Sequence, residues 1–86
     1  MSNDIMISRH RHQGPICGML ERYGIGQPDR YGRGIWLSEA DLPKIIARMK
    51  SDPTRIEAGG RLFVKGSEKG NNHVEMYEIQ RLFGKG

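Results

Sequence analysis

The segment from Ser38 to Pro53 constrains the fold more than any other. Leu42, Ile45, Ile46 and Met49 fall at i, i+3, i+4 and i+7, a spacing that stacks them on one face of a helix. Ser38 is a capping residue, and Asp41, three positions on, makes an acidic variant of the capping box. Pro43 removes a ladder hydrogen bond if the helix is regular from Ser38 onward. It is harmless if the regular helix starts at Asp41, because it then sits in the first turn. Arg48 and Lys50 suit the C-terminal end, and Ser51-Asp52-Pro53 stops the helix. A helix with one apolar face has to lie on a second layer.

Short alternating stretches supply that layer. Ile5 to Arg11 reads as a strand, with Ile5 and Ile7 on one face and Met6, Ser8 and His10 on the other. After the turn signal His12-Gln13-Gly14-Pro15, residues Ile16 to Tyr23 read as a second strand, a short helix being the competing reading. Residues 24–34 form a glycine-rich loop with Pro28 and Asp29 as turn formers, and Ile35-Trp36-Leu37 make a brief strand. Beyond the helix, Arg61 to Lys65 alternates, with Leu62 and Val64 opposite Phe63. Residues 73–83 fit a strand on the β character of Val74, Tyr77 and Ile79. They also fit a helix on the spacing of Met76, Ile79 and Phe83. The expected class is α+β: a small antiparallel sheet of three to five strands with one principal helix, about 39–50. It is expected as a single domain over 1–86, with 1–4 and 84–86 flexible.

A chain of 86 residues buries a modest core. Its lone Cys17 can form neither an internal disulfide nor a thiolate cluster, and reads as a small hydrophobe in a core strand. Trp36 and Phe63 read as core residues too. A homodimer would add buried area, because a single helix leaves the second face of such a sheet uncovered. No apolar run reaches the length of a bilayer, and the N-terminal residues carry no apolar stretch of the secretory kind, so no membrane association and a cytoplasmic location are expected. The net charge of +4 is spread along the chain: residues 1–37 carry five basic and three acidic groups, and 38–86 carry nine and seven. Contact with nucleic acid is permitted by that balance, not demanded by it.

No motif of catalysis stands out, and no cofactor is expected. The glycine loop lacks the Gly-Lys-Ser or Gly-Lys-Thr ending of a phosphate loop. His10 and His12 share a strand face but fall short of a closed metal site. The most informative pattern is aromatic residues interspersed with cations. Arg9, Arg11, Arg22, Tyr23, Arg30, Tyr31, Arg33, Arg61 and Lys65 are the candidate nucleic-acid contacts, since Arg grips phosphate and Tyr stacks on a base.

Residues 5–50 also resemble a family. Met19-Leu20-Glu21-Arg22-Tyr23, then a Gly/Pro loop, then Gly32-Arg33-Gly34-Ile35-Trp36-Leu37-Ser38 leading into a helix resemble the positive-cofactor transcriptional coactivators and their phage and bacterial relatives. The resemblance implies a curved antiparallel sheet that binds single-stranded DNA, with dimerisation through the helices. It makes Arg9 and Arg22 strand-borne phosphate contacts and Arg33 the basic residue before the last strand. The chain departs from the family in lacking room for a further N-terminal strand and in having Leu42 where an aromatic is expected. The function expected is a non-enzymatic, sequence-nonspecific nucleic-acid-binding protein that prefers single-stranded DNA. The alternative is a small phage-like regulator or inhibitor that binds a larger host protein.

Overall fold

Ile7 lies opposite Ile35 at the centre of an antiparallel pair formed by β1 (Ile5–Ser8) and β3 (Gly34–Leu37), and both side chains are buried. The structure, a computed structural model, describes residues 4–10, 12–67 and 73–84. Between these strands come α1 (Gly14–Tyr23) and the two-residue β2 (Gln27–Pro28). β2 pairs with the other side of β3, giving an antiparallel sheet in the order β1-β3-β2. A 3-10 turn (Glu39–Asp41) leads into α2 (Leu42–Ser51). Then β4 (Ile56–Ala58), β5 (Arg61–Lys65) and β6 (His73–Glu75) form a second antiparallel sheet in that order, followed by α3 (Met76–Leu82).

The α+β class is as expected from sequence, with two three-stranded sheets and three α-helices among the described residues where one sheet and one principal helix were predicted. The largest correction is at Ile16–Tyr23, which is helix α1 and not a strand. Ile16, Met19, Leu20 and Tyr23 fall at i, i+3, i+4 and i+7, and this helical period outweighs the shorter alternation. Pro15 fits the first turn, and Gly24 closes the helix in the left-handed conformation, φ 68°. Gly18 within this helix is a packing device: a Cβ there would stand 3.0 Å from the Gly66 carbonyl oxygen. Its absence lets α1 approach the chain leaving β5. With residues 16–23 helical, β1 pairs directly with β3, and the strands after α2 build a sheet of their own.

Pro43 poses no difficulty, because the 3-10 turn ends before it and α2 has it in the first turn. The Ser38 amide donates to Asp41 Oδ2 at 2.9 Å, as the capping box predicts. Residues 73–83 divide between both readings: Val74 pairs with Val64 in the sheet, and the chain then turns into α3, burying Ile79.

The helices pack on the inner faces of both sheets. Ile7, Ile35 and Leu37, then Ile16, Met19 and Leu20, then Leu42, Ile45 and Met49, then Leu62, Val64, Val74 and Ile79 join in one buried cluster. Cys17 is part of it, on α1, its thiol donating to the Ile7 carbonyl at 3.2 Å; burial pushes that thiol's pKa up. Trp36 and Phe63 are not core residues. Trp36 is in register with Met6 and Gln27 on the outward face of the first sheet and is 39% exposed. Phe63 is half-buried, in register with Ile56 and Glu75 on the face of the second sheet opposite Leu62 and Val64. Pairing register, which one strand's sequence does not contain, decides this.

Candidate nucleic-acid interface

Asp29 organises the turn that joins β2 to β3. Its backbone amide donates to the Gly34 carbonyl at 2.9 Å, and its own carbonyl accepts from the Gly32 amide at 3.0 Å. The side chain folds back under the turn and is buried. Oδ2 accepts from the amides of Tyr31 (3.1 Å) and Arg33 (3.3 Å) and from Arg33 Nε (3.0 Å). Oδ1 accepts from Trp36 Nε1 (2.9 Å) and Arg33 Nη2 (3.4 Å). The Arg33 guanidinium and then the Trp36 indole hold the carboxyl well below the usual carboxylate range.

This carboxylate fixes a surface of aromatics and cations. The Arg33 guanidinium lies 5.3 Å from the centroid of the Tyr31 ring, and Tyr31 is 74% exposed. Arg30 beside it is exposed and makes no ion pair among the described residues. Arg9 joins from β1: its amide donates to the Arg33 carbonyl at 2.9 Å, while its side chain pairs with Glu21 at 2.7 Å. Three of the candidate contacts, Arg30, Tyr31 and Arg33, therefore gather at the Asp29 turn beside Trp36, and Arg9 is joined to them through its backbone while its side chain turns to Glu21 on α1.

Arg22, Tyr23 and Lys65 gather elsewhere, around Asp52. Asp52 follows the last turn of α2 in an extended conformation, and its carboxylate is buried. Oδ2 accepts from Arg22 Nη2 at 2.8 Å and from the Tyr23 hydroxyl, and Oδ1 accepts from the Thr54 amide (2.7 Å) and hydroxyl (2.5 Å). Burial alone would raise the carboxyl pKa; the bonds from Thr54, Tyr23 and Arg22 prevail and hold it at about 2. Burial first, and the Asp52 carboxylate second, push the Tyr23 phenol up to about 12. Arg22 and Arg48 lie 5.4 and 5.2 Å from the Tyr23 ring centroid.

Arg61 belongs to neither group. On β5 it approaches Glu75 Oε1 at 3.2 Å, a contact that lacks the alignment of a hydrogen bond. Arg11 lies outside the described residues. The coactivator resemblance implies strand placement for Arg9 and Arg22; Arg9 lies in the turn just after β1, and Arg22 is on α1. Sequence reading passed over Asp29, Asp52 and Arg48 as members of these groups, and took Trp36 for a core residue. The signal for the carboxylates was present: Asp29 precedes Tyr31, and Asp52 precedes Thr54, by two positions, the spacing at which an Asp side chain accepts from the amide two residues on.

Among the described residues no three His, Cys, Asp or Glu side chains form a metal-ligand group, and no helix is long and apolar enough to cross a membrane. No protein family, curated protein or solved structure matches the chain.

Proposed function

We propose that the chain binds nucleic acid, single-stranded DNA in preference to duplex, on the surface built from Arg30, Tyr31, Arg33 and Trp36, with Arg9 tied to its edge through the backbone. The observation that carries this reading is the buried Asp29 carboxylate, which holds an exposed tyrosine turn, an arginine and a half-exposed tryptophan in one rigid unit. Aromatic faces stack on any unpaired base, at about 1–3 kcal/mol per base, and arginines beside them track the phosphates without reading sequence. Ordering those side chains before binding lowers the entropy lost on association.

Trp36 is the sole tryptophan, so its fluorescence reports on this surface directly. Single-stranded oligonucleotides should quench it, and affinity should fall by about 0.7 logarithmic units per phosphate contact for each tenfold rise in salt. Absence of any binding near about 50 mM salt would end the proposal, because electrostatic contacts are strongest at low salt. Equal affinity for duplex would remove the single-strand preference.

A second reading, a non-enzymatic protein-binding module, draws on Ile56 and Tyr77, which are 50% and 52% exposed. These two residues lie on β4 and α3, away from the Asp29 turn in sequence. A second copy of the chain is one protein that could cover them. Nuclease-resistant capture of a protein partner, or a doubled mass in sedimentation, would favour this reading.

A further inference from the structure

We propose that the groove over Asp52 is a separate site that binds a phosphomonoester, a phosphate group carried on a small organic body. The groove lies where the C-terminal ends of α1 and α2 meet the end of β5, and has a volume of about 500 Å³. Arg22, Arg48 and Lys65 line it, together with Tyr23, Ser51 and Thr54, whose hydroxyls donate to Asp52 and to backbone carbonyls.

Its charge is unbalanced. Asp52 is the carboxylate in the lining, and the Arg22 guanidinium 2.8 Å away answers it. Arg48 and Lys65 pair with no carboxylate among the described residues, which leaves two positive charges facing the groove. The helix ends might be expected to repel an anion, since their carbonyls carry the negative end of the dipole. Here several of those carbonyls already accept hydrogen bonds. The Ser51 hydroxyl meets the Ala47 and Arg48 carbonyls at 3.3 and 3.2 Å, Arg55 Nη1 donates to the Lys50 carbonyl, and the Gly24 and Ile25 amides take the Glu21 and Leu20 carbonyls.

Arg48, and the backbone that carries Lys65, are also held in place. Tyr23 is fixed by its bond to Asp52, and Arg48 rests against that fixed ring, a placement that consumes none of its N–H donors. The Lys65 amide donates to Thr54 Oγ1 at 3.0 Å, tying the end of β5 to the Asp52 turn. Two unanswered positive charges match a phosphomonoester, which carries about −1.5 to −2 at neutral pH, better than a diester or carboxylate with a single charge. The volume exceeds what a bare ion needs and lies within the range of about 300–1,000 Å³ typical of small-molecule sites. None of this depends on the Trp36 surface.

Nuclear magnetic resonance titration of the full chain with a nucleoside 5′-monophosphate, the parent nucleoside and inorganic phosphate tests the assignment. The monophosphate should move the amide signals of Ser51, Thr54 and Lys65, inorganic phosphate should move the same signals more weakly, and the nucleoside should leave them in place. Arg48→Gln and Lys65→Gln should each weaken the monophosphate about tenfold or more, the scale of one lost charge-assisted bond. Both variants change side chains outside the core, and circular dichroism checks that they fold. Trp36→Ala should leave monophosphate binding unchanged while weakening oligonucleotides, which separates this site from the proposed nucleic-acid surface. Stronger binding of a 5′-phosphorylated oligonucleotide than of its 5′-hydroxyl form would identify a strand end as the source of the phosphate; equal binding of the two would identify a small molecule. The proposal is overturned if the nucleoside binds as well as its monophosphate, or if neither charge-removing variant alters monophosphate affinity.

Discussion

The indole Nε1 of Trp36 donates to Oδ1 of Asp29 at 2.9 Å, which ties the central strand of the first sheet to the turn that presents Arg30 and Tyr31. The same carboxylate takes Arg33 Nε through its other oxygen. The orientation of three candidate contacts thus depends on a residue that is itself buried and would never meet a ligand.

Asp29→Asn should therefore weaken oligonucleotide binding although no contacting residue is changed. An amide keeps one acceptor oxygen and presents an NH2 group where Arg33 or Trp36 now donates. We expect about a tenfold loss of affinity, comparable to the loss of one base-stacking interaction. The Trp36 emission of the free protein should shift as its hydrogen bond is lost. Trp36→Phe keeps an aromatic face and should retain more affinity than Trp36→Ala. Unaltered affinity and emission in Asp29→Asn would show that the turn keeps its shape without the carboxylate.

The acid limb of the stability curve should carry the signature of Asp52. Its carboxyl has a pKa of about 2 in the fold, against about 3.9 in an unfolded chain. Between those values the unfolded chain binds a proton that the native chain does not, so stability is complete above about pH 5 and is lost as pH falls through 4 toward 2. The difference corresponds to between about 2 and 3 kcal/mol. Asp29 is depressed in the same direction and adds to the same limb. Urea denaturation of wild type and Asp52→Asn over this range isolates the Asp52 share: the variant should be less stable at neutral pH, with a shallower acid slope. Parallel slopes would contradict the assignment.

The sequence disclosed the elements whose period was pure. Leu42, Ile45, Ile46 and Met49 specify α2 because no competing alternation runs through them, and Ile45 and Met49 are fully buried while Ile46 lies at the edge of the core. Ile16–Tyr23 was ambiguous because Gly18 weakens either element. Only the backbone it meets, at Gly66, explains its presence. The site was legible in its parts and not in its grouping. Arg30, Tyr31 and Arg33 are close in sequence and stay together around Asp29, whereas Arg22, Tyr23 and Lys65 come together through Asp52 and Thr54 across two helix ends and a strand. Trp36 alternates with buried Ile35 and Leu37, and its outward position depends on the pairing with Met6.

At the alkaline end, Tyr23 should be the determinant. Its phenol is pushed up to about 12 in the fold, so between about pH 10 and 12 the native chain keeps a proton that the unfolded chain releases. Stability from this group is present below pH 10 and is lost as pH rises through 12. Tyr23→Phe deletes the donor to the Asp52 carboxylate and should cost about 1.5–3 kcal/mol at neutral pH, the usual range for a hydrogen bond to a charged group. The late-ionising component of the ultraviolet titration of wild type should be missing from the variant. If the variant retains it, the high value belongs to another tyrosine.

Gly34 and Gly32 stand two residues apart and should respond to alanine for different reasons. Gly34 pairs with Ser8, and a Cβ on it would come within 1.9 Å of the Ile7 carbonyl oxygen and 2.9 Å of the Ile7 carbonyl carbon. Both are backbone atoms, so no rotamer change relieves the overlap, and β1 must move away from β3. Gly32 has open space around it, and the penalty there is the left-handed backbone, φ 72°. That penalty is about 1–2 kcal/mol for an L-residue. Gly34→Ala should exceed it, at about 3 kcal/mol or more, the upper end for overpacking. Because the Arg9 amide reaches the Arg33 carbonyl just beyond the same strand pair, Gly34→Ala should also separate Arg9 from Arg33 and weaken oligonucleotide binding. Gly32→Ala should preserve that pairing. Chemical denaturation with oligonucleotide titration of both variants checks the order, and a larger loss of stability in Gly32→Ala than in Gly34→Ala would contradict the close approach of the two strands.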